Sequence, residues 1–194
     1  MPDAGRVVTG TAKGLRLAAP GEGTRPLSDR LKQGLFGSLG SDTDVLEGGA
    51  FLDLFAGSGA AGIEALSRGA ARAVFVEKDA RACSIIAENL RRSRLAGGSV
   101  VRADALRWLA AGPAEPGHAP FTACLIDPPY DQPLVEPSLE LLGAAGEGWL
   151  EPAGVAVAKH FWRDAPPERA GRLTLYRRRR QGETMLSFYR LEEP

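Results

Sequence analysis

From residue 50 onward, short apolar segments alternate with segments of helical periodicity, and this alternation constrains the fold more than any other sequence feature. The segments AFLDLF, ARAVFVE, GSVVRA, FTACLI and AGVAVAKH have the length and composition of buried strands. Amphipathic segments such as GAAGIEALSR separate them. Strands joined by helices run parallel, and a parallel sheet needs cover on both faces. The sequence therefore predicts an open, mostly parallel, doubly wound α/β sheet.

Both ends of the chain depart from this alternation. Residues 6–17 (RVVTGTAKGLRL) predict a small N-terminal β-hairpin, and a helix capped by Ser28 follows it. Residues 171–194 alternate with period two around a Gln-Gly turn, which predicts an antiparallel C-terminal hairpin at the sheet edge. We therefore divide the chain into an extension, residues 1–40, and a main domain, residues 41–194.

The composition indicates a globular protein, with 44% apolar and 25% charged residues among 194. No apolar run reaches the length of a membrane span, and the N-terminus lacks a signal-peptide core, so we expect a cytoplasmic protein without membrane contact. Cys83 and Cys124 show no metal-ligand spacing, and His118 and His160 form no ligand pair. We expect reduced core thiols and no metal site.

Charge is segregated although the formal net charge is zero. Residues 169–181 carry six arginines and no acid, whereas residues 126–151 carry six acids and no Lys or Arg. A neutral protein with segregated charge can present a cationic face to a polyanion. A coding bias towards arginine, with the charges on solvated helix faces, accounts for the composition equally well.

A glycine-rich loop follows the first strand of the alternation. Gly57-x-Gly59-x-x-Gly62, with Glu77 twenty residues after Gly57, matches the dinucleotide fingerprint, so NAD is one candidate ligand. Asp53, four residues before Gly57, favours S-adenosylmethionine instead, because a carboxylate there repels a pyrophosphate and attracts a methionine ammonium group. Glu77 is then a candidate partner for the ribose hydroxyls.

The segment CLIDPPY ends a later strand with an acid, two prolines and an aromatic ring. The prolines stop strand pairing and stiffen the corner. The Asp127 carboxylate and the Pro128 carbonyl can accept the two N–H groups of a base amine, and Tyr130 can stack on the base. Such acceptors would turn the nitrogen lone pair towards a methyl donor. The corner therefore predicts methyl transfer to an exocyclic amine; a simple tight turn is the alternative.

Other polar and aromatic residues have competing interpretations. Ser58, Asp127 and His160 occur in the chain order of a hydrolase triad, but the loop reads Ala-Gly-Ser-Gly-Ala rather than G-x-S-x-G. Asp104 is a helix N-cap candidate that could also contact an adenine amine. We interpret the three tryptophans, Trp108, Trp149 and Trp162, as packing residues rather than base-stacking platforms.

With these motifs in place, the chain resembles the ribosomal RNA small subunit methyltransferase D family over nearly its whole length. The resemblance is carried by VVTGTAKGLRLAAPGEGTRPLSDRLKQGLF, by LDLFAGSGAAGIEALSRGA, by DPPY and by GETMLSFY. It implies a Rossmann-like class I methyltransferase fold and S-adenosyl-L-methionine as cofactor, with S-adenosyl-L-homocysteine as product. The implied reaction is methylation of the exocyclic N2 of a guanine in 16S rRNA.

The resemblance also implies the site residues. The expected catalytic residues are Asp127, Pro128, Pro129 and Tyr130. The expected cofactor-binding residues are Thr24, Arg25, Asp53, Phe55, Gly57, Ser58, Gly59, Glu77, Lys78, Asp104 and Ala105. The chain departs from the family pattern at Leu27, at Lys32-Gln33-Gly34 and Gly37, and at Lys159, where many relatives carry an acid.

The implied partner is 16S rRNA, within an assembled or assembling small ribosomal subunit. A guanine amine inside an RNA helix is inaccessible, so the target must be unpaired or flipped. Residues 6–17 and the arginines at 172–180 are candidate backbone contacts. An adenine-N6 DNA or RNA methyltransferase is the alternative enzyme, because DPPY is shared with that class, and a non-catalytic RNA-binding module is the alternative outside enzymes.

Overall fold

A computed structural model describes residues 3–21, 27–42, 46–113, 120–144 and 148–192. These residues form the following strands and helices, in chain order: β1 (Asp3–Arg6), β2 (Arg16–Ala18), α1 (Asp29–Asp42), β3 (Ala50–Leu54), α2 (Ala60–Ser67), β4 (Arg72–Glu77), α3 (Ala80–Ser93), β5 (Gly98–Arg102), α4 (Ala105–Ala110), β6 (Phe121–Ile126), α5 (Val135–Gly143), β7 (Leu150–Phe161), β8 (Arg169–Ala170), β9 (Leu173–Gln181) and β10 (Thr184–Leu191).

Eight strands form the central sheet, in the order β5-β4-β3-β6-β7-β10-β9-β8. Strands β3 to β7 pair in parallel, while β10 pairs antiparallel to both β7 and β9. The predicted doubly wound sheet with a C-terminal antiparallel hairpin is confirmed. The predicted N-terminal hairpin is also present, as an antiparallel pair of β1 and β2.

Alternate residues of the strands face two separate hydrophobic clusters. One cluster joins the sheet to α1, α2, α3 and the N-terminal hairpin, and includes Phe36, Phe51 and Phe75. The other joins the opposite face to α4 and α5, and includes Leu52 and Leu139. Because side chains on a strand alternate between faces, this arrangement explains why the parallel strands are apolar along their whole length.

The N-terminal extension is held on α2 by a buried carboxylate. Glu64, fully buried, accepts hydrogen bonds from the main-chain N–H groups of Val8 (2.7 Å) and Thr9 (3.0 Å) and from Arg68 Nε (2.8 Å). Lys32 of α1, also buried, donates to the Arg6 carbonyl at 2.6 Å. These bonds fix the extension beside the sheet. The division at residue 40 stays a prediction.

Two details of the C-terminal half differ from the prediction. Strand β7 begins at Leu150 rather than near Ala153, because a register shift and a left-handed Ala153 (φ 61°) let the chain pass Pro152 and continue pairing with β6. A two-residue strand, β8, adds to the outer edge of β9. Both features depend on tertiary pairing rather than on local periodicity.

Further expectations concern thiols, metal ligands and membrane spans. Both cysteines are free thiols, but Cys83 is only half-buried, so the expectation of two core thiols is wrong for Cys83. Within the described ranges, no group of three or more His, Cys, Asp or Glu side chains is arranged to hold a metal ion. The same ranges contain no helix with the length and apolar character needed to cross a membrane.

Candidate active site

A cavity of about 760 Å³ opens at the carboxyl ends of β3, β4 and β6. Parallel strands bring their carboxyl ends to one edge, so residues distant in sequence meet there. Predicted site residues that line the cavity are Asp53, Phe55, Gly57, Ser58, Glu77, Lys78, Asp104, Ala105, Asp127, Pro128, Pro129 and Tyr130. Thr24 and Arg25 lie outside the described residues, although Pro20, Gly21 and Leu27 on either side of them also line the cavity.

Asp53 lies at the base of this cavity and is 2% exposed. Its Oδ2 accepts a hydrogen bond from the Gly62 N–H of α2 at 2.9 Å. The pKa of Asp53 is raised to about 8, mainly by burial and also by the carboxylates of Asp127 and Glu77, while the hydrogen bond from Gly62 opposes the rise. A buried carboxyl group with acidic neighbours is suited to a cationic ligand group.

The glycine loop bends sharply between β3 and α2. Phe55 adopts a left-handed backbone (φ 62°), which is strained for a residue with a side chain. Gly59, with φ 76°, is the N-cap of α2. Gly62 packs directly against the Phe75 ring of β4, leaving no room for a Cβ atom. Helix α2 can therefore approach the sheet closely, and the loop exposes its backbone to the cavity.

Two further acidic residues, Glu77 and Asp104, line the cavity. Glu77 ends β4 and accepts hydrogen bonds from the Gly57 N–H (Oε2, 2.9 Å) and the Asp79 N–H (Oε1, 2.9 Å). Asp104 caps α4, accepting from the Arg107 N–H at 3.0 Å as the sequence predicted. Each Glu77 oxygen keeps a further lone pair for a ligand hydroxyl. The arrangement fits a nucleoside lying across the strand ends.

The DPPY corner follows β6 directly. The Asp127 N–H still bonds the Leu54 carbonyl at 3.4 Å, and Pro128, which is buried, ends strand pairing. The Tyr130 ring is 45% exposed. Its hydroxyl lies 3.3 Å from Thr184 Oγ1 at the start of β10. The corner is therefore tied to the C-terminal hairpin, a link that sequence reasoning missed.

Lys159 of β7 is the other residue that sequence reasoning did not place in the site. Its Nζ donates to Asp127 Oδ1 at 2.5 Å and lies 4.8 Å from the centroid of the Tyr130 ring. Burial raises the pKa of Asp127, and the adjacent ammonium opposes that rise. Burial lowers the pKa of Lys159, but Asp127 and Tyr130 outweigh it and raise that pKa above its usual value. Two sequence signals pointed to it: a lysine near the end of an otherwise apolar strand, and its departure from the acid that many relatives carry there.

The hydrolase interpretation is contradicted by the bonding of His160. Its Nε2 lies 2.8 Å from Ser187 Oγ, and its Nδ1 lies 2.8 Å from the Phe161 carbonyl. Both ring nitrogens therefore bond residues other than Ser58. Ser58 instead belongs to the glycine loop, where its carbonyl accepts a hydrogen bond from the buried Asn89 amide at 3.0 Å.

A second cavity, of about 400 Å³, lies on the other side of the DPPY corner. The two cavities share Lys159 and the corner residues from Pro128 to Gln132. Phe161 and Pro166 belong to the second cavity alone. The corner is thus a wall common to both cavities.

Comparison with known proteins agrees with this geometry. The family described as conserved hypothetical protein 95 matches residues 5–190. The ribosomal RNA small subunit methyltransferase D of Escherichia coli is 31% identical over 188 residues, which cover 96% of this chain and 90% of that protein. The chain belongs to the ribosomal RNA small subunit methyltransferase D family. Bacillus subtilis YlbH is 38% identical over 188 residues, covering 95% of this chain and 98% of YlbH.

Comparison with solved structures supports the same fold. The Escherichia coli protein yhhF superimposes with a TM-score of 0.83 and 30% identity, covering 96% of this chain and 97% of that one. The predicted Rossmann-like methyltransferase fold and the methyltransferase D resemblance are both confirmed. The cavity is suited to the predicted cofactor, S-adenosylmethionine, because its lining includes two acids, Asp53 and Glu77, of the type that an ammonium group and ribose hydroxyls need.

Proposed function

We propose that this chain methylates the exocyclic N2 of a guanine in 16S rRNA, with Asp127, Pro128 and Tyr130 as the catalytic residues. One observation carries the proposal: the DPPY corner is a wall shared by two cavities. A cofactor in the larger cavity and a base in the smaller one would meet at that wall. The catalytic and cofactor-binding residues named from the sequence are part of this proposal.

The cofactor supplies an electron-poor methyl group bonded to a sulfonium. The protein's task is then to position the amine and to stabilise positive charge on its nitrogen. Asp127 accepts one N–H of the amine and the Pro128 carbonyl accepts the other, which rotates the lone pair out of conjugation with the ring. Pro129 stiffens the corner, and the exposed Tyr130 ring stacks on the base.

The methyl transfer needs no strong base. The amine nitrogen uses its lone pair to form the new N–C bond as the methyl–sulfur bond breaks, and that bonding pair stays on sulfur. The nitrogen becomes acidic as it gains the methyl group, so one of its protons passes through the Asp127 carboxylate to water. The products are an N2-methylguanine and S-adenosyl-L-homocysteine.

The proposed RNA contact lies beside the second cavity. Arg180 of β9 and Arg163 both stack on the Trp162 ring, with their guanidinium carbons 4.1 and 4.8 Å from its centroid, respectively. Arg180 pairs in register with Met185, which in turn pairs with His160 near the end of β7. Exposed arginines at this level can meet the phosphates that flank a base entering the cavity.

A flipped or unpaired guanine is required, since the N2 group of a paired base is inaccessible. The chain has 194 residues, most of them in the methyltransferase fold. We therefore propose that a folded small-subunit particle, with its proteins, supplies much of the target specificity.

The proposal is tested with undermodified small ribosomal subunits, radiolabelled S-adenosylmethionine and nucleoside analysis of the product. We expect label in N2-methylguanosine from the wild-type chain. Asp127→Ala should reduce transfer by about 10² or more while retaining cofactor affinity, because Asp127 acts on the amine. Label in N6-methyladenosine would replace the proposal with the adenine-N6 reaction, and RNA binding without any transfer would leave a non-catalytic binding module.

A further inference from the structure

The register of the sheet places a lysine opposite the proposed catalytic carboxylate. In the parallel pair β6–β7, Leu125 pairs with Val157 and Ile126 with Ala158, so Asp127 and Lys159 come next. Both side chains project from the face that packs against α1 to α3, as does Asp53. The Lys159 Nζ to Asp127 Oδ1 distance is 2.5 Å.

This ion pair is poorly exposed to water. The side chain of Lys159 is 9% exposed and that of Asp127 is 23% exposed. Removing two charges from water costs several kcal/mol per ion, and buried pairs often stabilise a fold no better than apolar residues of the same volume. Stabilisation of the fold is therefore a weak explanation for the presence of this ion pair. Its location in the wall between the two cavities offers a functional one.

Lys159 makes two contacts that together define the corner. It bonds one oxygen of Asp127, Oδ1, which leaves Oδ2 as an acceptor directed by a fixed carboxylate plane. It also lies 4.8 Å from the Tyr130 ring centroid, within the range of a cation–π interaction. Tyr130 is further tied to Thr184, so the ring is held from two sides.

We propose that Lys159 is a positioning residue for methyl transfer: its ammonium group fixes the Asp127 carboxylate and the Tyr130 ring in the geometry that receives the target base. This proposal rests on the proposed catalytic role of Asp127. Lys159 acts through those two side chains and has no bond of its own to the reacting atoms. Its charge also keeps Asp127 ionised, and hence an acceptor rather than a donor.

Several charged or titratable groups lie on the elements around Asp127. They come from β3, from β7 and from the corner itself, and they are Asp53, Lys159, Tyr130 and Asp131. Negative charges on Asp53 and Asp127 oppose each other, since the Asp127 carboxylate is one of the groups that raise the pKa of Asp53. Lys159 opposes the rise that burial causes in the pKa of Asp127. Without it, Asp127 would be protonated at a higher pH.

Two variants separate the charge of Lys159 from its hydrogen bond. Lys159→Met removes both while keeping a similar apolar volume, and Lys159→Gln keeps a donor but has no charge. Thermal melting and S-adenosyl-L-homocysteine affinity at pH 8 verify that each variant is folded and binds cofactor. Single-turnover methylation of small-subunit RNA is then measured across pH, with kcat and KM for RNA determined separately.

For Lys159→Met we expect kcat to fall by about 10-fold to 100-fold with a smaller change in KM, because the acceptor is no longer held in place. In both variants the acid limb of the pH profile should move to higher pH by about one unit or more. Lys159→Gln should recover rate at high pH beyond Lys159→Met. A folded variant of either kind with the wild-type pH profile and kcat would overturn the proposal.

A carboxyl titration makes this test independent of the reaction. The ¹³C resonance of Asp127 is assigned by its loss in Asp127→Asn and followed with pH in the wild-type and Lys159→Gln proteins. We expect a higher midpoint in the variant, by about one unit or more. If the Asp127 midpoint is the same in Lys159→Gln as in the wild type, the proposed role of Lys159 is wrong, even if the wild-type chain methylates guanine. If the wild-type chain makes no N2-methylguanine, the proposed function fails while the midpoint still decides whether Lys159 keeps Asp127 ionised.

Discussion

At the scale of a single residue, we expect Asp53 to couple proton binding to cofactor binding. Its pKa is raised to about 8, mainly by burial, so below that pH the side chain is largely neutral. In the proposed site a methionine ammonium group binds the carboxylate form, so we expect cofactor binding to displace the proton. The affinity for the cofactor should therefore rise with pH up to about 8 and change little above it.

We predict that S-adenosyl-L-homocysteine affinity increases by roughly tenfold per pH unit between pH 6 and pH 7.5, as expected for one linked proton. Calorimetry at several pH values measures this change in affinity. Asp53→Asn should bind more weakly and lose this pH dependence, since its amide does not titrate. A flat wild-type curve over the same range would show that Asp53 does not meet the ammonium group.

At the scale of an element, the arginine run of β9 divides between two environments because strand side chains alternate. Arg179 turns towards α1, with its Nη1 3.3 Å from Ser38 Oγ. Arg178 lies 3.6 Å from a Glu168 carboxylate oxygen, and Arg180 stacks on Trp162. The run is therefore not one continuous basic patch, and its members cannot contribute equally to RNA binding.

Replacing Arg180 with Ser should weaken RNA binding and reduce the slope of log affinity against log salt by about one, as for the loss of one phosphate contact. Arg169→Ser is the matched control: Arg169 lies in β8, at the other end of the hairpin, and is paired with Glu192 at 2.7 Å. Filter binding of RNA at several salt concentrations measures this slope for the two variants. Equal slopes for both variants would remove Arg180 from the proposed contact.

At the scale of the whole molecule, the cavity is assembled from the N-terminal extension, the glycine loop, β4, the DPPY corner and β7. A cofactor bound there contacts only the folded chain and so stabilises the whole fold. At a concentration 100 times its Kd, the gain is about 2.7 kcal/mol. For a chain of this size, that corresponds to a rise in Tm of about 5–10 °C.

A thermal melt with and without S-adenosyl-L-homocysteine measures this rise. Asp53→Asn should show a much smaller shift at the same ligand concentration, because its affinity is lower. Lys159→Gln at pH 8 provides the comparison, since it alters the corner rather than the ammonium site. No shift in the wild-type chain at saturating ligand would contradict the proposed cofactor cavity.

The sequence alone determined the parallel sheet, the order of its elements and the two motifs that line the cavity. Hydrophobic periodicity and the turn chemistry of Gly and Pro act within a few residues, so these features can be predicted locally. The N-caps Ser28 and Asp104 can also be predicted locally. Their side chains accept hydrogen bonds from the Leu31 N–H at 3.2 Å and the Arg107 N–H at 3.0 Å, each only three residues away.

Only the tertiary structure decided which residues meet across those elements. Lys159 lies 32 residues from Asp127, and Glu64 lies more than 50 from the hairpin amides that it binds. Such contacts depend on strand register and on how helices seat against the sheet, and a register shift of one residue would turn Lys159 to the opposite face. Local patterns specify which residues are buried, but they do not specify the partner that each buried charge will find.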